Sequence, residues 1–153
     1  MREQIATRFV AAPSDAVFAL VTAPERLPEW NRAIVRVIDA PDELRSGTVW
    51  VVEVSALGRS WASRSTVVDI DPTARHFAHR SQTDDGNPSY ADWSWQIADA
   101  PGGCDVTVSL ALHPATFWRR VLLAKIRASQ LRRRELPASL DALVSVAAPV
   151  HDA

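Results

Sequence analysis

The feature that most constrains the fold is a helical apolar stripe near the C-terminal end of the chain. Apolar residues recur three or four positions apart, at Phe117, Val121, Ala124, Ala128 and Leu131. This spacing places them on one side of an α-helix, and that side must pack on another apolar surface. Pro137 interrupts the continuation of the pattern, so we expect a kink there or two helices in series.

The chain before Pro114 consists mainly of short segments in which apolar and polar residues alternate, as is typical of β-strands. These segments and the turns between them carry every tryptophan except Trp118. Two short helices are expected after the first strand, the first capped by Ser14 or Asp15. The order predicts an α+β fold in which a curved antiparallel sheet of about seven strands carries the long C-terminal helix across its concave face.

The third and fourth strands predict which side chains face inward. If Gly58 and Arg59 form a two-residue turn, Trp50 lies opposite Val67 and Glu53 opposite Arg64. Phe77 on the fifth strand is then also expected opposite Val67. The resulting inner face carries aromatic and small polar residues: Trp50, Trp61, Ser63, Ser65, Phe77, His79, Trp93 and Trp95. The pair Glu53 and Arg64 is expected on the outer face, unless the two faces are inverted and the pair lies in the interior.

Length and charge narrow the classes of function. A chain of 153 residues is expected to form one domain, covering residues 1–148 with a tail at 149–153. The formal net charge of −1 gives no support to a nucleic-acid partner. No export signal or membrane-length apolar run is seen, so we expect a cytoplasmic protein without integral membrane contact.

The chain offers few metal-binding groups. Cys104 is its single cysteine, which excludes an intramolecular disulfide and any multi-cysteine metal site. His76 and His79 are three residues apart on a predicted strand and would point to opposite faces. We therefore expect neither a metal nor a cofactor.

Several short motifs, taken in order, carry a resemblance to a known family. They are 12-APSDAVF-18, 27-LPEWN-31, Gly47, the run from Val67 to Pro72, 93-WSW-95 followed by Gly102 and Gly103, and 132-RRRE-135 with Ser139 and Leu140. With these motifs the chain resembles the polyketide cyclase/dehydrase and lipid-transport (SRPBCC) family of the START-like superfamily. The resemblance implies a helix-grip fold with a deep apolar cavity between sheet and long helix. It implies no particular reaction, and no shared catalytic motif is available to assign.

The inward aromatic residues are candidates for contact with a flat hydrophobic ligand, although they could equally be core residues. The predicted binding residues are Trp30, Trp50, Trp61, Ser63, Ser65, Phe77, His79, Trp93, Trp95, Phe117 and Val121. In this hypothesis the protein binds or carries an aromatic or polycyclic molecule, which the hydroxyls and His79 orient and which enters near Trp30.

Two alternatives remain open at this point. His79 is the candidate acid or base if the protein is an enzyme of the cyclase/dehydratase type, or it is a hydrogen-bonded structural histidine. Basic residues on the long helix, namely Arg119, Arg120, Arg132, Arg133 and Arg134, are either a solvated face or the docking surface of a regulator for an acidic partner.

Overall fold

The described strands form one antiparallel sheet. A computed structural model of the chain describes residues 3–56, 58–83, 88–113 and 136–147. The strands are β1 (Gln4–Val10), β2 (Ile34–Asp39), β3 (Val49–Ala56), β4 (Arg59–Asp71), β5 (His76–Thr83), β6 (Tyr90–Ala100) and β7 (Gly103–His113). They pair in the order β1-β7-β6-β5-β4-β3-β2. The predicted seven-stranded antiparallel sheet is confirmed.

Two short helices follow β1, as predicted. Helix α1 spans Ser14–Val21, and α2 spans Leu27–Trp30 after a single 3₁₀ turn at Pro24–Arg26. The apolar residues of α1 are buried, with Val17 fully inaccessible. The expected side-chain cap is absent, because the Ser14 hydroxyl donates instead to the Asp99 carboxylate on β6. This contact ties the start of α1 to the sheet.

The described part of the C-terminal region is helix α3, Leu136–Ala147. Leu140 and Leu143 are buried, as the helical pattern predicts. The helix contacts β1, α1 and α2. The long helix predicted over residues 117–131, and the expected kink at Pro137, depend on residues that lie outside the described part of the chain. Among the described helices, none has the length and apolarity needed to cross a membrane.

The register of the β3–β4 hairpin differs from the prediction by two residues. Ala56 pairs with Arg59, so Trp50 lies opposite Ser65 and Glu53 lies opposite Ala62. Gly58 has φ +71°, a conformation that suits glycine in a tight turn. Because side chains alternate with a period of two, this error leaves every residue on its predicted face.

The outer position of Glu53 is also clear from its contacts. Its carboxylate lies 3.4 Å from the Arg36 guanidinium on β2, and the Arg64 side chain is exposed. The inverted arrangement, with a buried Glu53–Arg64 pair, is therefore wrong.

A β-bulge in β4 changes the pairing with β5. Val67 lies opposite His79, and after the register shift Ile70 lies opposite Phe77. The prediction that Phe77 faces Val67 is therefore wrong. The extra residue of the bulge, Val68, points outward and is 57% exposed. Bulges of this kind bend a strand and increase its twist, which helps the sheet to curve around an interior.

Candidate functional site

A cavity of about 260 Å³ lies against the inner face of the sheet. Strands β3 to β7 form its wall. Helix α2, the residues Asn31, Ala33 and Ile34 that come after it, and Ser139 of α3 close one side. The predicted binding residues among the described part of the chain all line it: Trp30, Trp50, Trp61, Ser63, Ser65, Phe77, His79, Trp93 and Trp95. Phe117 and Val121 lie outside the described residues.

The centre of the aromatic wall is a row of stacked rings on β3, β5 and β6. His79 lies parallel to Trp93, with ring centroids 5.9 Å apart and planes inclined by 6°. It also lies 5.1 Å from Phe77 and 4.9 Å from Trp50. Strand alternation places these side chains together, because Phe77 and His79 are two residues apart and Trp93 is paired with His79.

Trp30 closes one side of the cavity. Its ring meets Trp95 edge to face at a centroid distance of 5.4 Å, a favourable geometry for an aromatic pair. Only 1% of Trp30 is exposed, and its indole N–H has no hydrogen-bond partner among the described residues. An indole nitrogen can only donate.

His79 is held in its neutral form. Burial lowers its pKa from 6.5 to about 3, against a smaller opposing effect of the Asp92 carboxylate. Nδ1 is buried and has no partner among the described residues. The structural role expected as one alternative, a hydrogen bond to Ser65 or a backbone carbonyl, is therefore absent at Nδ1. At neutral pH the ring is an uncharged aromatic surface.

Hydroxyl groups line the cavity beside this aromatic row. Ser63 pairs with Thr83 and Ser65 with Ser81 across β4 and β5. We call Ser63, Ser65, Ser81 and Thr83 the hydroxyl strip. Ser63 and Ser65 are buried, 9% and 4% exposed.

Ser81 and Ser63 of the hydroxyl strip each form a hydrogen bond with a neighbouring residue. The Trp93 indole donates to Ser81 Oγ at 3.0 Å, and Ser63 Oγ donates weakly to the Gln82 carbonyl at 3.4 Å. Ser81 and Thr83 were missed by the sequence reasoning. The alternation of Phe77, His79, Ser81 and Thr83 is the signal that extends β5 to them.

Two polar aromatic residues of the cavity lining, Tyr90 and His113, were also missed by the sequence reasoning. Tyr90 stacks on His113 at 4.6 Å, and the Arg80 guanidinium lies 3.9 Å above the Tyr90 ring. Asp92 joins the group through a bidentate ion pair with Arg80, at 2.8 and 3.2 Å. Tyr90 and Asp92 lie at the start of β6 and pair with His113 on β7 and Arg80 on β5. The sequence does not determine the register of these pairs.

The lining is uncharged over the described residues. It contains no aspartate, glutamate, lysine or arginine, and the two histidines in it are His79 and His113. The described residues also contain no group of three His, Cys, Asp or Glu side chains arranged to hold a metal ion. The described part of the site therefore offers stacking surfaces and neutral hydrogen-bonding groups.

Comparisons with known proteins agree on the fold. A protein from Chromobacterium violaceum has TM-score 0.74 at 18% identity, covering 97% of this chain and 98% of that one. A START superfamily protein from Mycobacterium smegmatis has TM-score 0.70 at 18% identity, covering 95% and 96%. The Zhui aromatase/cyclase from Streptomyces sp. R1128 has TM-score 0.71 at 20% identity, covering 95% and 93%.

Such identities show a shared START-like, helix-grip fold and leave ligand and reaction open. No curated protein matches the sequence significantly. A family model, however, matches residues 3–148, nearly the whole chain, and its description is polyketide cyclase / dehydrase and lipid transport. The chain therefore belongs to the polyketide cyclase/dehydrase and lipid transport family, as its sequence motifs predicted.

Proposed function

We propose that the protein binds a flat, hydrophobic small molecule, aromatic or polycyclic, in the cavity lined by Trp50, Phe77, His79 and Trp93. The observation that carries this proposal is that these rings border an open volume instead of filling it. Aromatic side chains give large contact areas with few torsions to immobilise, so they suit a planar ligand. The family description, which includes both cyclases and lipid transport, fits such a role.

The cavity volume limits the size of the ligand. A cavity of roughly 150 Å³ with an apolar lining holds benzene. The 260 Å³ found here gives room for a molecule of about two or three fused rings.

The state of His79 favours binding over catalysis. A cyclase or dehydratase of the kind considered from the sequence would need His79 to accept or donate a proton. With a pKa of about 3, the histidine is a weak base, and near neutral pH it lacks the imidazolium proton that a general acid would give up. The regulator hypothesis rests on Arg119, Arg120 and Arg132 to Arg134, which lie outside the described residues, so nothing here favours it.

The binding proposal is tested with a matched pair of cavity and surface variants. Ala91 lines the cavity, whereas Ala111 pairs with Asp92 and lies outside the cavity lining, in a second pocket beside Arg80 and Ser94. We expect the neutral fluorescent probe N-phenyl-1-naphthylamine to bind the wild type. Ala91→Phe, which reduces the open volume, should weaken that binding at least about tenfold, and Ala111→Phe should leave it within about twofold.

Absence of probe binding to the wild type, or equal losses in the two variants, would contradict the proposal. Native mass spectrometry of freshly purified protein gives an independent test, since a retained small molecule identifies the ligand class directly. The enzymatic alternative is tested by His79→Gln: lost turnover of a polyketide-like substrate with retained binding would support catalysis.

A further inference from the structure

The hydroxyl strip has more polar groups than a purely hydrophobic site needs. Ser63, Ser65, Ser81 and Thr83 form two directly opposed pairs on neighbouring strands, and all four line the cavity. Alanine or valine would fit these strand positions without the cost of removing a hydroxyl from water. The strip therefore calls for an explanation in terms of what occupies the cavity.

Ser65 gives the sharpest evidence. It is 4% exposed, it lines the cavity, and no hydrogen bond joins its hydroxyl to another described residue. The Ser65 oxygen is not among the inaccessible side-chain atoms that lack a partner, so it is open to the cavity. Its hydroxyl can therefore bond water there, or an oxygen of a ligand that displaces that water.

The other members can contribute further hydrogen bonds. Ser81 accepts from the Trp93 indole, which leaves its own O–H proton to donate. The Ser63 bond to the Gln82 carbonyl, at 3.4 Å, is long and easily exchanged for a better one. Three serine hydroxyls on adjacent strands thus offer donors and acceptors within one small area.

Rings flank the strip along both strands. Trp61 lies two residues before Ser63 on β4, and His79 lies two residues before Ser81 on β5. Alternate residues on a strand are about 7 Å apart and share a face. A planar molecule lying on the rings therefore brings its edge to the hydroxyls.

We propose that the ligand is an uncharged aromatic molecule bearing oxygen substituents, and that the hydroxyl strip, with Ser65 at its centre, binds those oxygens. This inference rests on the proposed function. The oxygens are hydroxyl or carbonyl groups, since a serine hydroxyl can donate to or accept from either. The ligand is uncharged because the described lining has no charged side chain to compensate an ion.

The test compares ligands of the same ring system on the full chain, by displacement of N-phenyl-1-naphthylamine. We expect 2-naphthol to bind the wild type about five to ten times more tightly than naphthalene, as one or two net hydrogen bonds provide. Ser65→Ala should reduce this preference to less than about twofold while leaving naphthalene affinity nearly unchanged. Retained naphthalene binding also shows that the variant is folded. The anion 2-naphthoate should bind more weakly than 2-naphthol.

Ser94→Ala is the matched control. Ser94 lies on the outer face of β6, between the inward-facing Trp93 and Trp95 and opposite Ser109 on β7, and it is not part of the cavity lining. This variant should keep the preference for 2-naphthol.

The outcomes separate the inference from the function on which it rests. If the wild type binds naphthalene and 2-naphthol equally, or if Ser65→Ala keeps the preference, the inference is overturned and the proposed function stands. Tighter binding of 2-naphthoate than of 2-naphthol would also overturn it. If neither neutral compound binds, the proposed function itself is wrong.

Discussion

Acid should destabilise the folded protein through His79. In the unfolded chain its pKa is close to the ordinary 6.5, whereas burial lowers the pKa to about 3 in the folded state. Between these values the unfolded chain binds a proton that the folded chain excludes. Stability is therefore greatest above about pH 6.5 and falls as the pH decreases toward 3.

The magnitude follows from the two pKa values. Each pH unit over which only the unfolded state is protonated costs about 1.4 kcal/mol of stability. From pH 7 to pH 5, where the first half unit contributes little, His79 should account for a loss of about 2 kcal/mol. This is a large part of the stability of an ordinary domain, which is roughly 5–15 kcal/mol.

The assay is urea unfolding of the ligand-free protein at pH 7, 6 and 5, followed by far-ultraviolet circular dichroism. His79→Phe keeps a ring stacked between Trp93 and Phe77 but cannot titrate, so its free energy of unfolding should fall by about 2 kcal/mol less than that of the wild type over this range. The control is His76→Gln, which removes a partly exposed histidine from the same strand and should retain the wild-type loss. An equal loss in His79→Phe and in the wild type would refute the reasoning.

Three further predictions concern packing, backbone and thiol reactivity. Trp50→Ala removes a side chain that is 3% exposed, so chemical denaturation should show a loss of about 3 kcal/mol or more. In Gly103→Ala the new Cβ would clash with the Val10 carbonyl oxygen, so the thermal midpoint should fall sharply. Gly58→Ala, with open space around it but φ +71°, should lose only about 1–2 kcal/mol. Burial raises the pKa of the Cys104 thiol, so a maleimide should label the unfolded protein much faster than the native one; similar rates would contradict this.

The inner face of the sheet could be predicted because it depends only on alternation. Trp93, Trp95 and Ile97 alternate with polar residues, and a strand with that pattern has only one face that can be buried. The predicted register at the Gly58 turn was wrong by two residues, but an even shift keeps each side chain on its predicted face of the sheet. The sequence could therefore place the tryptophans in the interior without knowing the correct pairing.

Two features could not be predicted from the sequence: the single extra residue of the β4 bulge, and the face of β1 that is buried. Nothing in the sequence around Val68 marks it as the extra residue of a bulge, because Val67, Val68 and Ile70 are equally good strand residues. On β1, Ile5 and Phe9 alternate with other residues as the apolar face of a strand would, yet they are 64% and 46% exposed. Ile5 and Phe9 pair with Ser109 and Asp105 on the outer face, whereas Ala6 and Val10 of the same strand pack against the core. Which face of β1 is buried depends on this pairing with β7 and is not visible in the strand alone.

The bulge in β4 also affects which sequence changes the binding site can accept. Because Val68 is an additional residue, Ile70 faces inward although it is out of step with Ser63, Ser65 and Val67. The curvature that leaves room for the cavity is therefore set by the backbone of β4, and the lining side chains set the chemical character of the cavity. Substitutions at the cavity wall should therefore change which ligand fits without changing the curvature of the sheet. Deletion of Val68, which removes the bulge, should shift the register of β4 against β5 and disturb the whole inner face.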